Sequence, residues 1–341
     1  MRMAWVLTVI TACSSTTHDR PAPPGEPPAP HRIMVEANDV AILYPPGGAG
    51  IMAAELVPRA LYERAFGSEG ALQLGGTPAA PPLAALHLVA IRIDPQREQL
   101  RLVFQPAGER DDAVHVFFAL DPGEARALAE SVAALRGDAH LGPLAPHPLL
   151  VRDGVTGPFG RGLAAQIRRH APAARLARIT VFTSSGLGTA WNFFGVDVAA
   201  GGAITPMAIP TLPPDTRLEA FFAGFVDGEL TGDAPFTPAS TALPARDDLR
   251  ILASRDRLAR ATPAARDQAL AAAARIEDPR VHTPETIDCA SCHVAHLVQT
   301  RGALDLHMFG YSHGRPSIQP RTIREVADSV AALNDPDLRS H

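Results

Sequence analysis

Leu86-His87-Leu88-Val89-Ala90-Ile91-Arg92-Ile93 is the stretch that decides the architecture. It is an apolar run rich in β-branched residues, and Asp94-Pro95 stops it, so it reads as a buried strand. Gln99-Leu100-Arg101-Leu102-Val103-Phe104 follows with clean alternation, and Val114-His115-Val116-Phe117-Phe118 alternates in the same way. Three such runs separated by short, turn-rich connections point to an antiparallel sheet with one face on a core.

The flanking sequence extends this pattern in both directions. Upstream, residues 32–44 read as an extended lead-in that Pro45-Pro46-Gly47-Gly48 ends. A helix begins near Pro58 and runs through Leu61, Tyr62 and Phe66. Downstream, Ala127, Leu128, Val132 and Leu135 recur at helical spacing over Gly123–Leu135, and Gly137 closes that helix. Residues 157–171 hold a further helix, with Leu163, Ala164 and Ile167 on one side and Arg168 and Arg169 on its basic face. Ile179–Phe182 and Trp191–Val198 then read as two strands around Ser184-Ser185-Gly186-Leu187-Gly188. That glycine-containing turn lacks the lysine of a phosphate-binding loop and the spacing of a dinucleotide site, so it is a hairpin connection. Leu218–Leu230 is apolar without a readable period.

At Asp247 the pattern becomes helical. Asp247–Arg260 comes first. Thr262-Pro263 then opens a helix to Ile276 as N-cap and first-turn proline, and Thr322–Leu333 forms the last. The expected fold class is therefore α+β. A strand-rich antiparallel α+β region over residues 32–240 precedes a small, mostly helical region over 247–341.

The helical region carries the chemistry, in Cys289-Ala290-Ser291-Cys292-His293. Two thiols at this spacing add across the two vinyl groups of one porphyrin, and the adjacent imidazole lies under the iron. The chain has three cysteines, and the third, Cys13, belongs to the N-terminus, so no disulfide framework remains. The motif resembles that of the c-type cytochromes, over these five residues and the surrounding C-terminal 60 to 100. The resemblance implies one covalent haem c on Cys289 and Cys292, His293 as proximal ligand, a small helical haem domain, and one-electron transfer.

The opposite side of the iron has several candidates. Five of the 13 histidines lie between His282 and His313. Met308 would complete a Met/His pair, though it stands nearer the motif than the methionine of typical small cytochromes. His307, His313 and His282 would complete a bis-His site, whereas His296 shares the proximal side of a helix with His293. An open position is the third arrangement, and it would suit a haem enzyme or a sensor of small ligands. A structural zinc site on Cys289, Cys292 and nearby histidines, in a protein that only binds, is the alternative without haem.

Residues 1–12 carry Arg2, a short apolar run from Ala4 to Ile10, and then Ile10-Thr11-Ala12-Cys13. This resembles a bacterial lipoprotein signal, which implies cleavage before Cys13 and lipid on its thiol. Residues 13–31 are polar and then proline-rich, as an extended tether would be. Ser14 after the cysteine resembles lipoproteins sorted to the outer membrane, facing the periplasm or the cell surface. Export and haem attachment belong together, because covalent attachment takes place outside the bacterial cytoplasm. All 31 basic residues are arginine, so no ring of lysines exists to dock an acidic redox partner. A net charge of −5 gives no argument for nucleic-acid binding, and none is expected. The first two-thirds of the chain shows no catalytic motif, and the redox partner protein stays unnamed.

Overall fold

The strands expected between Leu86 and Phe118 are consecutive, paired strands of the sheet. The structure, a computed structural model, describes residues 33–47, 50–66, 80–107, 112–184, 190–206, 221–226, 229–230, 260–283, 292, 295 and 318–335. Its strands are β1 (Ala41–Leu43), β2 (Leu86–Asp94), β3 (Gln99–Pro106), β4 (Ala113–Ala119), β5 (Leu176–Ser184), β6 (Ala190–Val198), β7 (Ile204–Pro206), β8 (Phe221–Val226) and β9 (Glu229–Leu230). Strands β1 to β6 lie side by side in chain order, each antiparallel to the next. Both β7 and β8 pair with β6 along different stretches, and β9 continues from β8. The apolar stretch of unreadable period, Leu218–Leu230, thus contains β-structure.

The helices are α1 (Ala37–Val40), α2 (Ala53–Leu56), α3 (Arg59–Phe66), α4 (Glu124–Arg136), α5 (Pro148–Asp153), α6 (Pro158–His170), α7 (Pro263–Ile276) and α8 (Pro320–Asn334). Together with the sheet they make an α+β fold. The first turn of α6 packs closely on the preceding loop: a Cβ at Gly160 would collide with the carbonyl oxygen of Val155.

One sheet face supplies the core. Leu100, Leu102 and Phe104 of β3 sit beside Val114, Val116 and Phe118 of β4, and Ile179 and Val181 of β5 continue the layer. Leu128 and Val132 of α4 and Phe159, Leu163 and Ile167 of α6 belong to the same buried cluster. Strand β2 contributes Leu86 and Leu88, then Ile91 and Ile93, a change of parity that a regular strand would not allow. A register shift between Leu88 and Ala90 inserts one residue and turns both halves of the strand to the core. On the other face Arg101, Val103, His115, Phe117, Arg178 and Thr180 are half-buried. There the Arg101 guanidinium lies 5.9 Å from the centroid of the Phe117 ring.

The β2–β3 turn also builds a helix end. Asp94 Oδ1 accepts the N–H groups of Gln96 (3.2 Å) and Arg97 (3.3 Å), which shapes the turn. Glu98, with φ 45°, then directs its carboxylate to the first N–H groups of α4, accepting from Gly123 (2.9 Å) and Ala125 (3.1 Å). A negative charge there complements the helix dipole as well as the orphan donors.

Residues 32–44 are not uniformly extended, because α1 interrupts them. Asp39 draws the chain round: its Oδ2 accepts the Glu36 N–H at 2.8 Å, and its carboxylate lies 3.0 and 3.1 Å from Arg136 Nε. Arg136 is 7% exposed and donates its remaining N–H groups to the carbonyls of Gly137, Ala139 and Met34. Burial pushes the Asp39 carboxyl up, and the Arg136 hydrogen bonds and charge offset only part of that. A charge partner ninety-seven positions away leaves no trace in the local period.

Contacts divide the chain into Met1–Arg32 and Ile33–His341. The expected boundary between residues 240 and 247 falls outside the described residues. What the described residues do show is that α8, the last helix of the region expected to be a separate helical unit, is built into the α+β body. Asn334 binds the backbone of Val35 from both sides, accepting its N–H at 3.1 Å and donating to its carbonyl at 2.8 Å. Arg126 of α4 donates to the last carbonyls of α8, those of Leu333 (2.9 Å) and Ala332 (3.1 Å). In the middle, buried Arg92 of β2 donates to Ser329 Oγ at 2.8 Å and to the Glu325 carbonyl at 3.2 Å.

Two outcomes follow from these buried groups. Arg136→Met should lower unfolding stability by about 3–5 kcal/mol in urea titrations, because it strands the Asp39 carboxylate without a partner. His147 is fully buried, stacked 4.1 Å from the Phe159 ring, and among the described residues neither of its ring nitrogens has a hydrogen-bond partner. Burial, with the nearby charge of Arg136, pushes its pKa down to about 4 from 6.5. The unfolded chain therefore takes up this proton first on acidification, and stability falls as pH drops from 6.5 towards 4. The loss attributable to this ring is about 3 kcal/mol, and His147→Phe should remove that part of the pH dependence in the same titrations.

Candidate functional site

The described residues around the cysteine motif form a junction of two helices. Thr262 Oγ1 accepts the Ala265 N–H at 3.2 Å, and Pro263 opens α7, as expected from the sequence. Ala269, Ala272, Ala273 and Ile276 form its buried stripe. After Ile276 the chain turns. Asp278 Oδ1 accepts the Arg280 N–H at 3.0 Å, and the N–H groups of Val281 and His282 both reach the Asp278 carbonyl at 3.0 Å. His282 is fully buried at the end of this turn.

The beginning of α8 is locked onto that turn. The Glu277 carboxylate accepts the Arg321 N–H at 2.9 Å, so an acidic side chain from another element caps the helix and faces its positive end. The Arg321 side chain returns the contact: Nη1 donates to the Ile276 carbonyl at 3.1 Å and Nη2 to the His282 carbonyl at 2.6 Å. Its Nε donates to Glu325 Oε1 at 3.0 Å. Arg324 adds a bond to the Glu277 carbonyl at 3.0 Å, and the exposed pair Arg280–Asp328 closes the outside at 2.7 Å. Glu277 and Arg321 are 0% and 6% exposed, so this clasp works in a low dielectric where hydrogen bonds to charged groups are strong. Burial pushes the Glu277 carboxyl up, while the Arg321 N–H and the charges of Arg321 and Arg324 oppose it.

The clasp joins two points far apart in the chain: His282 and Arg321, which flank the segment bearing the Cys-x-x-Cys-His motif in sequence, are hydrogen-bonded to each other.

Of the residues singled out in the sequence, Cys292 and His282 are described. Cys292 has helical backbone and is partly exposed, and Ala295, three positions on, is helical and fully buried. A thiol that must meet a vinyl carbon needs that accessibility, so Cys292 fits covalent haem attachment. Cys289, His293, His296, His307, Met308, His313 and Cys13 lie outside the described residues. Among the described residues no group of three or more His, Cys, Asp or Glu side chains is arranged to hold a metal ion. No described helix is long and apolar enough to cross a membrane.

Comparison with protein-family models, with curated proteins and with solved structures finds no match to this chain.

Sequence reasoning did not find the clasp. Glu277 reads as the first residue of a short loop and Arg321 as one of many arginines, and nothing in the local pattern links positions that far apart. The proline that opens α8 was the available signal, because it fixes where orphan N–H groups begin. Arg321→Met should cost about 3 kcal/mol in urea unfolding and speed hydrogen exchange at the amides of 281–282 and 321–326. Arg280→Ala, which removes only the exposed pair, should leave both readouts unchanged.

Proposed function

We propose that this chain is a c-type haem protein of a bacterial cell envelope, tethered through lipid on Cys13, that passes single electrons to and from a partner protein. The observation that carries the reading is Cys289-Ala290-Ser291-Cys292-His293 in a chain whose one other cysteine has a separate explanation. Cys289 and Cys292 would hold haem c through two thioether bonds, and His293 would occupy the proximal side. Met308, His307, His313 or His282 would stand opposite. The haem, once bound, supplies an iron that takes up and releases one electron.

The protein's own contribution is positional. Partial exposure and helical backbone at Cys292 support an accessible attachment point. The Glu277–Arg321 clasp joins residues on either side of the motif in sequence, which supports a haem site whose surroundings would change little on electron transfer. Through α8 the clasp is continuous with the Asn334–Val35 contact. The half-buried sheet face around Arg101 and Phe117 offers arginine and aromatic contacts, which suits a docking role better than catalysis.

The deciding experiment is a visible spectrum of the full chain matured in a periplasm with the haem-attachment machinery, followed by alkaline pyridine treatment. A c-type haemochrome that survives acid–acetone extraction is expected, and Cys292→Ser should yield the haemochrome of a single thioether. A folded, exported, colourless protein would overturn the reading and leave a zinc-bound or cofactor-free binding protein. Carbon monoxide uptake by the reduced form without displacement of a ligand would replace the carrier with a ligand-binding haem protein. Cys13→Ser should move the protein from the membrane to the soluble fraction.

A further inference from the structure

Arg92 of β2 and Arg101 of β3 stand directly opposite each other in the register of their two strands. Residues paired in this way point to the same face, and like charges so placed destabilise a sheet. Among the described residues neither guanidinium has a carboxylate in contact with it. Arg92 is 4% exposed and donates only to neutral acceptors, the Ile93 and Glu325 carbonyls and Ser329 Oγ. Arg101 lies against the Phe117 ring. The carboxylates whose charge reaches Arg92, those of Asp94 and Glu325, are engaged by other arginines: Asp94 by Arg97 at 2.8 Å and Glu325 by Arg321 at 3.0 Å. Further along the same cross-strand row, beyond Phe117, Asp197 neutralises Arg178 at 2.6 Å. Once these groups are paired off, two positive charges remain in excess, on neighbouring strands of one sheet face.

The deficit is one of hydrogen bonding as well as charge. The Nε atoms of Arg92 and Arg101 are both buried, and neither has a hydrogen-bond partner among the described residues. Other buried groups also lack partners, but His147 can stay neutral, whereas a guanidinium keeps its proton. Burial, with the charge of Arg101, pushes Arg92 down only to about 10, against the pull of Asp94 and Glu325, so it is charged at neutral pH. A water would satisfy a donor here and leave the charge unanswered. His115, on the same face, is pushed down to about 3 by burial and by the Arg101 charge, so it adds no third cation. Thr180, its cross-strand partner, brings a hydroxyl to this face.

We propose that Arg92 and Arg101 form a binding site for a small, doubly charged oxyanion of the phosphate type, held by both guanidinium groups on this sheet face. Its two charges match the two in excess, and guanidinium N–H groups suit the oxygens of such an ion. Arg92 lies too deep for a bilayer or the surface of a folded partner to reach, which selects a dissolved ion. Binding turns a repulsive contact between β2 and β3 into an attractive one, so the sheet is more stable with the anion than without it. The site is independent of the haem reading.

The test is thermal unfolding of the full chain with inorganic phosphate as the probe and chloride at matched ionic strength as the reference. Millimolar phosphate is too dilute to act by exclusion from the protein surface. A specific site therefore shows as a saturable rise in Tm, about 3 °C at roughly tenfold excess over Kd. Arg101→Met should abolish that rise and leave Tm in chloride at or above the wild-type value, because the like-charge contact is gone. Arg152→Ala, which disturbs only an exposed pair, should keep the wild-type response to phosphate. A wild type that responds to phosphate and chloride alike would overturn the proposal, as would an Arg101→Met protein that still responds to phosphate. Protection by phosphatidylglycerol vesicles and not by dissolved phosphate would overturn it in favour of a membrane surface. If the variant does not fold, nitrogen-15 arginine labelling of the wild type decides. The Nε–H resonances of Arg92 and Arg101 should shift with phosphate and saturate, and resonances indifferent to phosphate overturn the site.

Discussion

The helix Pro320–Asn334 is held by charge at both ends, and the relation between the two halves of the chain depends on that. A helix presents unpaired N–H groups at its start and unpaired carbonyls at its finish, and neither set can be buried without partners. Here Glu277 meets the first and Arg126 the second, each from a different element. Midway, Arg92 of the sheet reaches Ser329. Because the anchoring groups come from α7, α4 and β2, the helix can be satisfied only when all three are in place. That makes the carboxy-terminal segment part of the body and not an appendage.

The same economy appears at the other buried charges. Arg136 and Asp39 neutralise each other beneath the lead-in to β1, and Arg136 spends its remaining donors on carbonyls that would otherwise be unpaired. Glu98 shapes the β2–β3 turn and caps α4 with the same residue. In each case a charge sits where backbone groups are exposed by the end of an element, which offsets the desolvation of both. Glu277 follows this rule with one oxygen and departs from it with the other, which has no hydrogen-bond partner among the described residues.

Periodicity alone determined that β2 to β6, α4, α6, α7 and α8 exist and roughly where they lie, because each buries a repeating apolar face that its own sequence displays. It also determined that β2, β3 and β4 run antiparallel, through connections too short for crossovers, and it singled out the cysteine motif by spacing. Only the tertiary structure decided that β2 carries a bulge, that Ala37–Val40 coils within an otherwise extended stretch, and that α8 belongs to the sheet body. It alone joined Glu277 to Arg321. The reason is common to all four: each depends on a partner far away along the chain, and a buried charge or an inserted residue has no period of its own to read.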